Sequence, residues 1–172
     1  LGKFESVSGI AVNSYQTYLN ALKQRHDFFA TMGCGLSDHG LDYMYAEDYS
    51  DEEIENIFNK IRGGNELSSI ENLKFKSCML HLFALWDWEK GWVQQYHLGA
   101  FRNNNTRKFQ ECGPDTGWDS IGDYLHGKSM VKFLNRLDSK NQLAKTIIYN
   151  LNPKDNALIA TMTGNFNDGT VA

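Results

Sequence analysis

Three short runs with strand character, each separated from the next by long amphipathic stretches, restrict what this chain can become. The runs are Cys34-Gly35-Leu36-Ser37, Trp92-Val93-Gln94-Gln95-Tyr96-His97 and Thr146-Ile147-Ile148-Tyr149-Asn150-Leu151. The last two carry the alternating, aromatic or β-branched pattern of strands. Between them the apolar residues recur at helical spacing. Asn13 and Ser14 can cap a helix bearing Tyr15, Tyr18, Leu19, Leu22, His26 and Phe29, with Gly33 as its stop. Ser50 with Glu53 and Ser68 with Glu71 are two capping boxes, opening helices that end at Gly63-Gly64 and at Gly91. A polar loop is expected from residue 98 to about 120, then a helix from near Asp123 to Leu137. Asn152, Pro153 and Asp155 start a last helix. The order α-β-α-α-β-α-β-α implies parallel βαβ units, because a strand that returns through helices re-enters the sheet in the same direction.

Three strands cannot close a barrel, and a (β/α)8 barrel takes about 250 residues where this chain has 172. The alternatives are a small open sheet or a piece of a barrel. Leu1-Gly2-Lys3-Phe4-Glu5 lacks an initiator Met, and Gly169-Thr170-Val171-Ala172 stops without a closing element. Both ends read as cut, so the expectation is a single segment, 1–172, of an incomplete barrel domain. A net charge of -4 with dispersed basic residues offers no footprint for nucleic acid. No apolar run approaches the roughly 20 residues of a membrane helix. The three cysteines, Cys34, Cys78 and Cys112, have no CxxC spacing and read as reduced thiols of a cytoplasmic protein.

Chemistry concentrates at one strand end. His97-Leu98-Gly99-Ala100-Phe101-Arg102-Asn103-Asn104-Asn105-Thr106-Arg107 crowds an imidazole, two guanidiniums and three amides into one strand terminus and its loop. Burying such a cluster for stability alone is costly, since each polar group needs a partner. Carboxyl ends of parallel strands are also where α/β proteins bind ligands. Val93, Gln95 and His97 share one side of their strand, and Tyr96 takes the other. His97 is then either a hydrogen-bonded core histidine or a metal ligand or acid/base group at a barrel mouth. Arg102 and Arg107 form surface ion pairs or bind a carboxylate or phosphate bidentately. Asp38-His39 ends another strand, where it either orients an imidazole or makes an Asx-turn. Asn103 to Asn105 suit a turn, and Asn104-Asn105-Thr106 matches a glycosylation sequon.

One motif points elsewhere. Gly122-Asp123-Tyr124-Leu125-His126-Gly127-Lys128-Ser129 fits the phosphate-binding loop G-x-x-x-x-G-K-[ST]. That loop requires an apolar strand before it, and Gly113-Pro114-Asp115-Thr116-Gly117-Trp118-Asp119-Ser120 forms none. A nucleotide-binding module through Gly122 to Ser129 is therefore the alternative reading, with Lys128 on a solvated helix face as the simpler one. His26, His81 and His126 lie on helices with no partner at metal-binding spacing, and the chain has no HxH, HExxH or CxxC.

Taken together these segments resemble the uronate isomerases (glucuronate isomerases) of the amidohydrolase superfamily. The residues that carry the resemblance begin with Met32-Gly33-Cys34, Ser37-Asp38-His39-Gly40, Gly91-Trp92-Val93 and His97 through Arg107. They continue with Gly113-Pro114-Asp115-Thr116-Gly117, Asp119-Ser120-Ile121-Gly122-Asp123, Leu151-Asn152-Pro153, Asp155-Asn156, Ala160-Thr161-Met162 and Gly164-Asn165-Phe166. The resemblance implies a distorted (β/α)8 barrel of which this chain covers roughly the fourth to sixth strands. It implies interconversion of glucuronate with fructuronate, and of galacturonate with tagaturonate, in a homo-oligomeric enzyme. A single divalent metal ion, expected to be zinc, belongs to that picture. The HxH pair and late Asp that would ligate it are not in this sequence, so the segment alone is expected to be inactive. By the same resemblance His97 matches a metal-site residue and, with Arg102, a catalytic position. Arg102, Arg107, Asp38 and His39 are the expected substrate contacts.

Overall fold

The computed structural model describes residues 1–167. The elements run α1 Gly2–Ser8, α2 Tyr15–Thr31, β1 Leu36–Leu41, α3 Asp51–Arg62, α4 Ser69–Lys90 and β2 Val93–Leu98. Then follow β3 Ala100–Phe101, α5 Thr106–Cys112, β4 Ser120–Ile121, α6 Gly127–Asp138, β5 Thr146–Asn150, a single 3₁₀ turn Pro153–Asp155, and α7 Asn156–Thr163. Residues 169–172, expected to be a cut end, lie outside the described residues.

Helix boundaries follow the capping chemistry. The Ser50 and Ser68 hydroxyls accept from the backbone N–H of Glu53 and Glu71, and those glutamates bind the cap N–H in return. Ser14 makes the same reciprocal box with Thr17. Each such cap is worth about 1 kcal/mol. Gly91 closes α4 with φ of 67°, a left-handed conformation that a Cβ would disfavour.

β1, β2 and β5 form one parallel sheet in the order β1-β2-β5. Gln94, Tyr96 and Leu98 are buried against helices, whereas Val93, Gln95 and His97 alternate to the other side. The covered face packs on α4, α6 and α7 through Leu80, Ala84, Met130, Phe133, Leu137 and Ile159. Tyr96 is its centre. The ring meets Phe133 edge-on, with centroids 5.7 Å apart, and its hydroxyl donates to Gln94 Oε1 at 2.8 Å. Gln94 Nε2 donates in turn to Thr146 Oγ1 at 2.7 Å, so this buried polar chain is satisfied across two strands. A second apolar layer lies outside α4, where α2 and α3 enclose Ala21, Phe58, Ile54 and Ile57. The opposite sheet face carries no helix among the described residues and leaves Leu36, Ile147 and Tyr149 exposed. One face covered by helices and the other bare is the cross-section of a barrel wall.

Four sequence expectations change. Helix α1 had no signal beyond a short polar-apolar run. Strand β1 begins at Leu36 rather than Cys34, and it continues to Leu41 because every residue from 36 to 41 finds a β2 partner. Asp38 and His39 therefore sit inside the strand, and not in a terminal turn. The expected polar loop after β2 contains the β3–β4 ribbon and α5, the latter capped by Asn105. Helix α6 starts at Gly127, four residues later than expected. All three cysteines are unpaired, and no described helix is long and apolar enough to cross a membrane.

At the amino ends of the strands, Asp87 of α4 is buried to 1% exposure. Its carboxylate accepts from Ser37 Oγ at 2.5 Å and meets His26 Nε2 at 3.0 Å, tying α4 to β1 and α2. His26 also stacks on Trp92 with centroids 4.2 Å apart. Asp87→Ala leaves both partners buried and unpaired, and is expected to destabilise the fold by about 3 kcal/mol, read as a lower urea midpoint. His81 gives a pH prediction. Burial, with Arg136 and Lys140 nearby, pushes its imidazole down from 6.5 to about 4. The unfolded chain takes up this proton near 6.5 while the folded one does not, so stability is lost as pH falls through that window. His81→Gln is therefore expected to flatten the fall in Tm between about pH 6.5 and pH 4; parallel curves for the two proteins would contradict this.

Candidate functional site

The parallel register sets rows of side chains across the bare sheet face. Gly40, His97 and Tyr149 are Cα partners in one row, and Asp38, Gln95 and Ile147 form the row below. His97 stands in the middle of its row. The Tyr149 ring stacks on it, with centroids 4.3 Å apart and planes 7° from parallel. Diagonally, His97 Nδ1 meets Asp38 Oδ1 at 2.8 Å. A carboxylate on Nδ1 selects the tautomer that carries its proton there, leaving Nε2 as the lone-pair nitrogen. Nε2 makes no hydrogen bond among the described residues. The pair is half-exposed, at 50% and 55% of the two side chains, so its net contribution to stability is small.

On the other side of His97, Gly40 leaves a gap that Arg102 fills. A Cβ on Gly40 would lie 3.4 Å from Arg102 Nη2. Arg102 reaches back over the sheet because the chain turns sharply after β2. Gly99 has φ of 93°, its N–H is shared between the Leu41 and Asp42 carbonyls, and its own carbonyl accepts from Gly122 at 2.7 Å. The β3–β4 ribbon then fixes the loop, with Phe101 opposite Ser120. Arg102 Nη1 donates to Asp115 Oδ1 and Asp119 Oδ2, each at 3.1 Å. His97, Arg102, Tyr149 and Asn150 line a shallow cavity of about 180 Å³ at the carboxyl ends of β2 and β5.

The structure thus brings His97, Asp38 and Arg102 together and leaves two expected residues apart. His39 points to the helix-covered face, stacked between Phe83 and Tyr96 at centroid distances of 5.9 and 5.5 Å. Burial lowers its pKa, with Asp87 and Asp38 opposing. Neighbours in a strand face opposite ways, so Asp38 and His39 cannot serve one ligand on one face. Arg107 lies on α5 and pairs with Glu111 one turn on, at 2.9 Å. The Asn run is structural. Asn103 takes φ of 55°, Asn104 donates to Phe101 O and Ser120 Oγ, and Asn105 caps α5. The nucleotide-loop alternative is corrected. The residues before Gly122 are β4, a two-residue strand paired antiparallel with β3 and not part of the parallel sheet. Leu125 within the motif is 90% exposed, and Asp123 is engaged by Lys154. The required strand, loop and helix geometry is absent from this motif.

Gly40, Asp115 and Asp119 also join the site; they lie in the resemblance motifs but have no role assigned there, and Tyr149 lies outside those motifs. Period-two alternation along β5 puts Ile147 and Tyr149 on one face, but which face depends on a register only the structure supplies. Among the described residues no group of three or more His, Cys, Asp or Glu side chains could hold a metal. One donor of the right kind is nevertheless presented: His97, with Nε2 free and Nδ1 on a carboxylate, has the arrangement common to metal-ligating imidazoles.

Comparison with known proteins agrees with this architecture. The sequence model of the glucuronate isomerase family matches residues 1–172. The chain is 58% identical to the uronate isomerase of Phocaeicola vulgatus over 169 residues, covering 98% of this chain and 36% of that protein. It is 57% identical to the uronate isomerase of Bacteroides thetaiotaomicron, covering 99% of this chain and 36% of that protein. Among solved structures, the uronate isomerase of Thermotoga maritima superposes with a TM-score of 0.89 at 28% identity, covering 96% of this chain and 36% of the other. The glucuronate isomerase of Caulobacter crescentus superposes with a TM-score of 0.80 at 29% identity, covering 90% and 32% of the two chains. The chain spans about a third of the length of these relatives, and it belongs to the glucuronate isomerase family.

Proposed function

We propose that this chain is the middle portion of the (β/α)8 barrel of a uronate isomerase, contributing one wall of the active site. The intact enzyme interconverts glucuronate with fructuronate, and galacturonate with tagaturonate. The observation that carries this reading is the His97–Asp38 hydrogen bond with Arg102 beside it, at the strand ends of a family member. Aldose–ketose isomerisation breaks the C–H bond at C2 of the open sugar and delivers a proton to C1, through an enediol. It needs a base near carbon, positive charge or donors at the enediolate oxygen, and a cation for the carboxylate. Arg102 supplies that cation, since Nε and Nη2 remain free of the two aspartates. Asp38 holds His97, which presents Nε2 as one ligand for a divalent cation, expected to be zinc. Such a cation, when bound, would polarise the sugar carbonyl. The remaining ligands and the base are assigned to barrel strands beyond this segment, so the segment alone is inactive. Arg107 and His39 are set aside as substrate contacts on their placement. Free thiols fit a cytoplasmic enzyme, and the intact protein is read as a homo-oligomer.

In the intact isomerase, His97→Asn is expected to lower kcat/KM for glucuronate by at least about 100-fold. Arg102→Met is expected to raise KM by about tenfold, as loss of one charge-assisted contact does. Wild-type kinetics in both variants would move the active site away from this strand end. Gly40→Val, whose side chain enters the space of Arg102 Nη2, should reproduce the KM defect of Arg102→Met, measured under the same conditions.

A further inference from the structure

Asp119 stands out among the groups around Arg102. Both of its oxygens are engaged: Oδ2 accepts from Arg102 Nη1 at 3.1 Å, and Oδ1 accepts from the backbone N–H of Asn103 at 2.8 Å. Asn103 is the next residue in the chain and holds a left-handed φ of 55°. One carboxylate therefore clamps the guanidinium and the backbone that follows it. Asp119 is itself held rigidly. It precedes β4, where Ser120 opposes Phe101, and the Asn104 N–H donates to Trp118 O at 3.0 Å. Its side chain is 28% exposed, against 80% for Asp115, which touches Arg102 at the same distance and holds no backbone group.

The geometry of the guanidinium gives this clamp a consequence. The two aspartates use Nη1 only, and the three remaining N–H groups lie on Nε and Nη2. Because the fork is planar, fixing Nη1 fixes the direction of the other donors, and Nη2 is directed over Gly40 beside His97. An unclamped arginine would sample many rotamers and lose that direction. We propose that Asp119 is a positioning residue that aims the free edge of Arg102 at the uronate carboxylate and acts on the reaction through Arg102 alone. This rests on the reading of Arg102 as the carboxylate-binding cation.

The test uses steady-state kinetics of the intact isomerase with glucuronate. Asp119→Asn and Asp119→Ser are both measured, so that loss of fold in one leaves the other, and Tm is recorded for each. The expected result is a rise in KM of about tenfold with kcat changed by less than about threefold. In an Arg102→Met background, Asp119→Asn should cause no further loss, because a residue acting through Arg102 has nothing left to aim. An unchanged KM overturns the proposal. So does a lower one, which would mean that the Asp119 charge merely repels the substrate. An equal extra loss in the Arg102→Met background also overturns it, as that signals a structural role. If Arg102→Met itself leaves KM at the wild-type value, the carboxylate-binding reading fails instead, and Asp119 loses its role with it.

Discussion

The parallel register of β1, β2 and β5 is the constraint on which the rest depends. Side chains along a strand alternate, so a slip of one residue would send every group to the wrong face. Tyr96 holds the register from one side. Its ring is fully buried against Phe133, and its hydroxyl completes the chain to Gln94 and Thr146. With Tyr96 fixed inward, His97 must point outward, and its row partners Gly40 and Tyr149 follow. The chemistry of the bare face is thus set by the packing of the covered one.

That face also explains why a glycine and a tyrosine flank the imidazole. Gly40 has no side chain to fill its place in the row, so a guanidinium from a loop far along the chain can occupy it. Tyr149 fills its own place with a flat ring against the other side of His97. Rotation of the imidazole is restricted by the stack, and its tautomer by Asp38. Sheet residues are held more precisely than loop residues, which suits a group that must keep one nitrogen aimed. Arg102 comes from a loop, and the added restraint of the β3–β4 ribbon and its aspartates offsets that looseness.

Local chemistry was the legible part of the sequence. Ser50 with Glu53 and Ser68 with Glu71 mark helix starts to the residue, because a capping box is complete within four positions. The inward and outward sides of β2 were readable for the same reason. What depended on pairing was not. Asp38 and His39 fell at a strand end on sequence grounds, since nothing local shows that β2 extends β1 to Leu41. The short β3–β4 ribbon was hidden by polar residues that satisfy tertiary rather than local contacts. Tyr149, Asp115 and Asp119 could be ranked only once register and loop path were known. The long resemblance motifs from His97 onward were the strongest indication of the loop that carries Arg102, while two residues the resemblance also named sit apart from it, His39 on the helix-covered face and Arg107 on α5.

Two of the histidine–aspartate pairs among the described residues show how environment separates their settings. His26 and Asp87 meet at 3.0 Å with Asp87 buried, a serine hydroxyl on its second oxygen and an indole against the imidazole. Both carboxylate oxygens and the imidazole Nε2 are occupied by neighbours from other elements, and such a pair binds helices to sheet. His97 and Asp38 meet at 2.8 Å with both side chains half-exposed. Solvent weakens that pair as a source of stability, yet the fold devotes to it a stacked tyrosine, a glycine gap and a doubly anchored arginine. An arrangement that contributes little to holding the chain together, and still fixes one nitrogen and one cation edge toward an open face, has the preorganisation that the proposed ligand site requires.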